Sequence, residues 1–297
     1  MKSLLITGAT GMIGSAIVGE AIRQGNKVTC IVHKGSKRIA NIPQNPLVTV
    51  VECNIDEYSN LKLAGTYDAF IHLAWDKTSV AGRDDVETQL KNIQYTLDAV
   101  RLAGRCGCKA FIGAGSQAEY GVQPVPLTGD LPVQPESGYG IAKFTAGKMS
   151  SMLCRQLGIR FNWLRILSVY GRNDGENTLI SYVIRELSAE RSPELTKCEQ
   201  LWDCLNCEDA AKAFFAVLEK GIDGKVYPLG SGQGRKLSAY VEDIRDVINP
   251  AVVLGFGKKE YYPHQPMYLV ADISELTKDT GWKPEIEFKD GIKSLIK

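Results

Sequence analysis

The sequence has no charge of either sign to spare: 35 Lys and Arg stand against 34 Asp and Glu in 297 residues. That balance removes the electrostatic case for nucleic acid or an anionic membrane as partner. Long apolar runs are missing as well. No stretch approaches the ~18 apolar residues of a membrane span. The opening run Leu4-Leu5-Ile6 is too short for a signal peptide, and glycines interrupt it at once. Histidine is scarce, at positions 33, 72 and 264 only. Eight cysteines are present, but a chain of this length without an export signal does not read as a disulfide framework. Cys198, Cys204 and Cys207 fall short of the four ligands of a structural zinc site, and no histidine lies beside them. Reduced thiols, no metal and a cytoplasmic location are the expectation.

What is there is an alternation of short apolar runs and amphipathic stretches. Leu4–Ile6, Val28–Val32, Leu47–Val51, Ala69–Leu73, Ala110–Ile112 and Phe161–Leu167 read as strands. Ile13–Arg23, Asp84–Leu102 and Tyr139–Leu157 read as helices, from apolar positions at helical spacing. Alternating strands and helices predict an α/β fold with a parallel sheet covered on both faces. The crossover rule makes it doubly wound and Rossmann-like. A TIM barrel shares the alternation but needs no glycine fingerprint at its first turn. After Gly171 the elements become shorter and prolines recur. Residues 1–172 therefore read as a dinucleotide-binding domain, and 173–297 as mainly a substrate-binding region. Elements near 209–229 are expected to return to the sheet.

Gly8, Gly11 and Gly14 sit between the first strand and first helix, where a pyrophosphate-binding turn must be. The helix N-terminus would then face an anion. An enzyme that takes NAD usually carries an acid about 20 residues later, on the ribose hydroxyl. Here residues 30–40 contain no acid, and His33 and Lys34 open a basic loop. This favours NADP(H) over NAD(H).

Tyr139 and Lys143 stand four residues apart, on one face of a helix. Such a lysine can lower the phenol pKa, and the tyrosine can pass a proton to a carbonyl oxygen. Ser116 ends the preceding strand, where it can hold the same oxygen. A second Tyr-x-x-x-Lys, Tyr58 to Lys62, has no strand-end serine before it and reads as coincidence.

The three-three glycine spacing resembles the short-chain dehydrogenase/reductases. The remaining motifs resemble the extended members that act on nucleotide sugars, the epimerase, dehydratase and reductase group. They are Ile71-His72-Leu73-Ala74, Asn92, Ser116-x3-Tyr120-Gly121, Arg165-x4-Tyr170-Gly171, Asp203 with Asp209, Ala271-Asp272 and Gly281-Trp282-Lys283-Pro284. The resemblance implies a catalytic triad of Ser116, Tyr139 and Lys143. Together with the glycine turn and the basic loop, it gives a cofactor site of Gly8, Thr10, Gly11, Met12, Ile13, Gly14, His33, Lys34, Asn54, Ile55, Leu73, Ala74 and Asn92, with Tyr139 and Lys143. Trp75, Gln117, Ser168, Asn177 and Trp202 are the candidate substrate residues. Where dehydratases of the family carry Thr-Asp-Glu, this chain has Ser116-Gln117-Ala118, and Glu119, displaced by one place, should point elsewhere. The expected function is NADPH-dependent reduction of a 4-keto-(6-deoxy) nucleoside-diphosphate sugar. The alternatives are an NAD-dependent 4-epimerase of nucleotide sugars and a non-catalytic dinucleotide sensor. The resemblance also implies a homodimer.

Overall fold

The computed structural model describes residues 1–78, 82–262 and 265–296; His264 lies outside them. In chain order the first half holds β1 (Ser3–Thr7), α1 (Met12–Arg23), β2 (Lys27–Val32), β3 (Val48–Glu52), β4 (Ala69–His72), α2 (Val86–Arg105), β5 (Ala110–Ser116), α3 (Gly138–Leu157) and β6 (Arg160–Ile166). There follow β7 (Ser168–Tyr170), α4 (Leu179–Ser188), β8 (Leu201–Trp202), β9 (Cys204–Asn206), α5 (Cys207–Lys220), β10 (Val226–Leu229), β11 (Arg235–Lys236), α6 (Leu237–Ile248), β12 (Tyr268–Leu269), α7 (Ser274–Thr280) and α8 (Phe288–Leu295).

Seven strands form one parallel sheet in the order β10-β6-β5-β4-β1-β2-β3. The expected α/β doubly wound architecture is the observed one. β1, β2 and β4 to β6 are buried almost throughout because helices cover both faces. Ile17 and Val18 of α1 pack with Phe214 and Leu218 of α5 on one side. Val100 and Leu102 of α2 pack with Ala146 and Cys154 of α3 on the other. The links from β2 to β3 and from β3 to β4 hold only short 3-10 turns, Ile39–Asn41 and Ile55–Glu57. Pro43 and Pro46 explain the first of these, since proline removes helical donors.

The chain steps outward from β1 to β3 and then returns to β4 on the other side of β1. That reversal opens a crevice at the carboxyl ends of β1 and β4, the place such sheets offer a ligand. Later residues join this part of the fold: α5 packs on α1, and β10 adds to the edge at β6, with Val226 opposite Trp163. α4, α6 and α8 enclose a separate core around Val183, Leu187, Val241, Ile244 and Ile292. No helix among the described residues is long and apolar enough to cross a membrane.

Two buried carboxylates tie the C-terminal segments to the sheet. Asp203 accepts hydrogen bonds from the Ser231 hydroxyl and from the amides of Ser231, Gly232 and Ala271. Asp209 accepts from the amides of Glu285 and Ile286, while Trp282 Nε1 donates to its carbonyl. Replacing Asp203 by Ala strands several buried donors, each costing about 1–3 kcal/mol. Asp203→Ala should therefore lower the unfolding free energy by roughly 3 kcal/mol in denaturant melts. A loss below about 1 kcal/mol would contradict this role.

Candidate active site

The crevice is closed at its base by contacts that only small groups permit. Thr7 Oγ1 lies 2.8 Å from His72 Nδ1 and accepts the amides of Leu73 and Ala74. Gly8 follows with a φ of +71°, and a Cβ there would meet the Ala74 nitrogen at 2.9 Å. A Cβ on Gly14 would reach 2.1 Å from the Gly8 carbonyl oxygen. The turn can therefore fold tightly under α1 only with glycine at both places. The first turn of α1 has no acidic residue and no side-chain cap. Its N-terminal partial charge is left for an anion, which fits the pyrophosphate of a dinucleotide.

Above the turn lies a cavity of about 500 Å³. Gly8, Thr10, Gly11, His33, Asn54, Ile55, Leu73 and Ala74 line it, so most of the expected cofactor residues come together. Met12, Ile13 and Gly14 line the adjoining cavity instead. Two residues differ from expectation. Lys34 Nζ is drawn 2.6 Å from the Glu57 carboxylate and does not line the cavity; Arg38 is the cation that does. The partner acid lies 23 residues further on, beyond the reach of local reading. Asn92, fully buried, bonds both backbone groups of Asp76 and so holds the loop after β4 rather than facing the cavity.

The adjoining cavity, about 390 Å³, contains Ser116, Gln117, Tyr139 and Lys143. Ser116 closes β5, while Tyr139 and Lys143 lie one turn apart at the start of α3, whose N-cap Ser137 accepts from the Gly140 amide. Lys143 Nζ donates to the Ala114 carbonyl at 2.8 Å and sits 3.8 Å from the centre of the Trp75 ring. Trp75 is anchored through Nε1 to Gln89 and stands edge-on to Tyr139. Proposed above as a substrate residue, Trp75 lines both the cofactor and catalytic cavities and shields the lysine. Ser168, Asn177 and Trp202 gather in a third cavity of about 680 Å³. The three cavities share wall residues and follow one another along the strand ends.

Glu119 turns away from this groove, as its displaced position suggested. Its carboxylate accepts from the Ser116 amide, Trp163 Nε1 and Arg165 Nε. Both partners of the Glu119–Arg165 pair are buried. Arg165 also stacks 4.5 Å from the Tyr120 ring centre. Thus the Ser116-x3-Tyr120 and Arg165 motifs build a polar support beneath Ser116. Among the described residues lining the catalytic cavity there is no carboxylate. Tyr58, the tyrosine of the second pair, is buried after a 3-10 turn and packs edge-on against His72.

Burial sets the protonation of the site. It pushes the Tyr139 phenol above its ordinary value, while a hydrogen bond with Ser116 and the charge of Arg83 pull it back. It lowers Lys143 to about 7, with Glu119 opposing. His72 falls to about 3 and is neutral. The arrangement is a protonated phenol, a hydroxyl and a poised amine in a space shielded from water. It can deliver a proton to an oxygen held between Ser116 and Tyr139.

A protein-family model described as the NAD dependent epimerase/dehydratase family matches residues 4–230. The chain is 24% identical to the dTDP-4-dehydro-6-deoxyglucose reductase of Escherichia coli, with 100% of this chain and 97% of that protein covered. It is 26% identical to the UDP-glucose 4-epimerase of Corynebacterium glutamicum, covering 95% and 91%. Its fold is similar to that of a UDP-N-acetylglucosamine 4-epimerase from Methanobrevibacter ruminantium, with a TM-score of 0.87, 23% identity and coverage of 99% and 98%.

The low value at Lys143 has a consequence for stability. The folded protein protonates this amine near pH 7, whereas the unfolded chain does so near 10.5. Proton uptake therefore favours unfolding, and the penalty is full below about pH 7 and gone above about 10.5. Lys143→Met should be more stable than the parent at neutral pH, with its advantage shrinking as pH rises through that window. Denaturant melts across the range check this, and a constant difference would contradict it.

Proposed function

Because the chain belongs to the NAD dependent epimerase/dehydratase family, we propose that it is a reductase. Its substrate would be a 4-keto-(6-deoxy) nucleoside-diphosphate sugar and its reductant NADPH. The observation that carries this reading is the Tyr139 phenol, held protonated by burial beside the Ser116 hydroxyl. A group in that state suits donation to a carbonyl oxygen. The carboxylate-free wall of the cavity argues against elimination of water, which needs an acid and a base on the substrate.

Ser116 donates its hydroxyl to the substrate carbonyl oxygen and fixes its place. Tyr139 gives its proton to that oxygen as charge develops there. Lys143, when protonated, stabilises the phenolate left behind and would help to hold the ribose of a bound cofactor. Trp75 and the packed sheet exclude water, so these interactions act in a medium of low dielectric. A bound NADPH would supply the hydride to the carbonyl carbon. Residues 173–297 contribute most of the substrate side through Asn177 and Trp202, and Ser168 of β7 adds to it. The name of the Escherichia coli relative, a dehydro-deoxyglucose reductase, supports the same class of substrate.

The preference for NADPH rests on Arg38, which lines the cofactor cavity from a stretch after β2, residues 30–40, that holds no acid; the acids of that cavity, Asp56 and Asp76, follow β3 and β4. Arg38→Ala should weaken NADPH about 10- to 100-fold, the worth of a charge-assisted hydrogen bond. NADH should change little. Titration of both dinucleotides checks this, and equal losses would contradict the assignment.

Purified protein should consume NADPH in step with an added 4-keto-6-deoxy nucleotide sugar. Tyr139→Phe should lower kcat about a thousandfold, in the range of a lost general acid, and leave dinucleotide affinity unchanged. Absence of NADPH loss with uridine, thymidine, cytidine and guanosine sugars alike would overturn the reading. Full activity in Tyr139→Phe would overturn the role of the phenol.

A further inference from the structure

The segment leading into α2 is docked on the first turn of α3. The Arg83 carbonyl accepts the Tyr139 amide at 2.7 Å, and the Asp84 carboxylate accepts the Gly138 amide at 2.9 Å. These bonds place the Arg83 guanidinium 5.4 Å from the centre of the Tyr139 ring, within cation–π range. Among the described residues, its side chain makes one hydrogen bond, a long one of 3.4 Å from Nε to the Thr78 carbonyl. Among the described residues its terminal nitrogens have no hydrogen-bond partner, and they can present a fork to an oxyanion.

Arg83 also occupies a junction. It lines the catalytic cavity with Ser116 and Lys143, and it lines the larger cavity with Ser168, Asn177 and Trp202. Among the described residues lining the two, it is the one charged group common to both. The other charges of the larger cavity are Asp174, Glu194 and Lys259. Without Arg83 that wall would be net negative and would repel an anionic substrate.

We propose that Arg83 clamps an oxyanion of the substrate where the two cavities meet, and that the same guanidinium favours the ionised form of Tyr139. The oxyanion is the diphosphate or a carboxylate carried on the sugar. This rests on the nucleotide-sugar reading above and names the residue that joins its binding half to its chemical half. The charges facing Tyr139 are Arg83, Lys143 from its own helix and Glu119 after β5, the last already paired with Arg165 of β6. Arg83 opposes the upward push of burial on the phenol. Removing its charge must therefore raise the pH at which Tyr139 loses its proton.

The test compares Arg83→Gln and Arg83→Lys with the parent protein. Calorimetry first measures binding of uridine, thymidine, cytidine and guanosine diphosphates, then of the glucose and glucuronate conjugates of the base that binds. Arg83→Gln should lose about tenfold or more in affinity, with dinucleotide affinity unchanged. An equal loss for diphosphate and conjugates assigns the clamp to the diphosphate; a loss confined to the glucuronate assigns it to the carboxylate. The ultraviolet difference titration of the phenol, assigned by its loss in Tyr139→Phe, should move to higher pH in Arg83→Gln and return in Arg83→Lys. Unchanged affinities overturn the clamp, and an unmoved phenol titration overturns the control of Tyr139. A parent protein that binds none of these nucleotides overturns the nucleotide-sugar reading and the inference with it.

Discussion

The groove depends on the close approach of two neighbouring strand ends, those of β1 and β4. Thr7 bonds to His72 across them, and Gly8 lets the backbone after β4 come within contact distance. A side chain at Gly8 would push Leu73 and Ala74 away. That one approach sets the height of the turn, the direction of α1 and the wall on which Trp75 stands. The cofactor cavity, the catalytic cavity and the beginning of the larger cavity all open along it.

Around this join the chain keeps ionisable groups neutral or paired. His72 is fully enclosed and uncharged, with Nδ1 spent on Thr7. Glu119 and Arg165 satisfy each other beneath Ser116, with Trp163 and Tyr120 completing the cluster. A buried pair of this kind contributes little net stability, but breaking one partner is costly. Its effect here is to hold the end of β5 in place. Lys143 is the exception, a buried amine poised near neutrality against an aromatic face. Stability is given up at that position, as expected where charge must appear during reaction.

The elements with strong periodicity were legible in the sequence: β1 to β6 and the helices between them. Of the two Tyr-x-x-x-Lys tyrosines, Tyr139 shares a cavity with Ser116 and Lys143. A strand-end serine precedes it, while Tyr58 falls in a short turn and packs against His72. What local reading could not reach were partners brought together by the fold. Lys34 looked like the phosphate ligand until Glu57 claimed it, and Arg38, in the same basic loop, faces the cavity in its place. Trp75 had no signal to place it on Lys143 rather than on the substrate side. Arg83 lies in a polar stretch without periodicity, and only the docking of that stretch on α3 sets it beside Tyr139.

The central claim is that proton and hydride are both delivered to one carbonyl in a net reduction, with Tyr139 as the proton donor. The most direct test follows an isotope. NADPH carrying deuterium at the transferable position of its nicotinamide should place one deuterium on the carbinol carbon of the sugar product in each turnover. A sugar that changes configuration without acquiring deuterium, while the NADPH pool stays intact, would contradict the account and point to epimerisation instead.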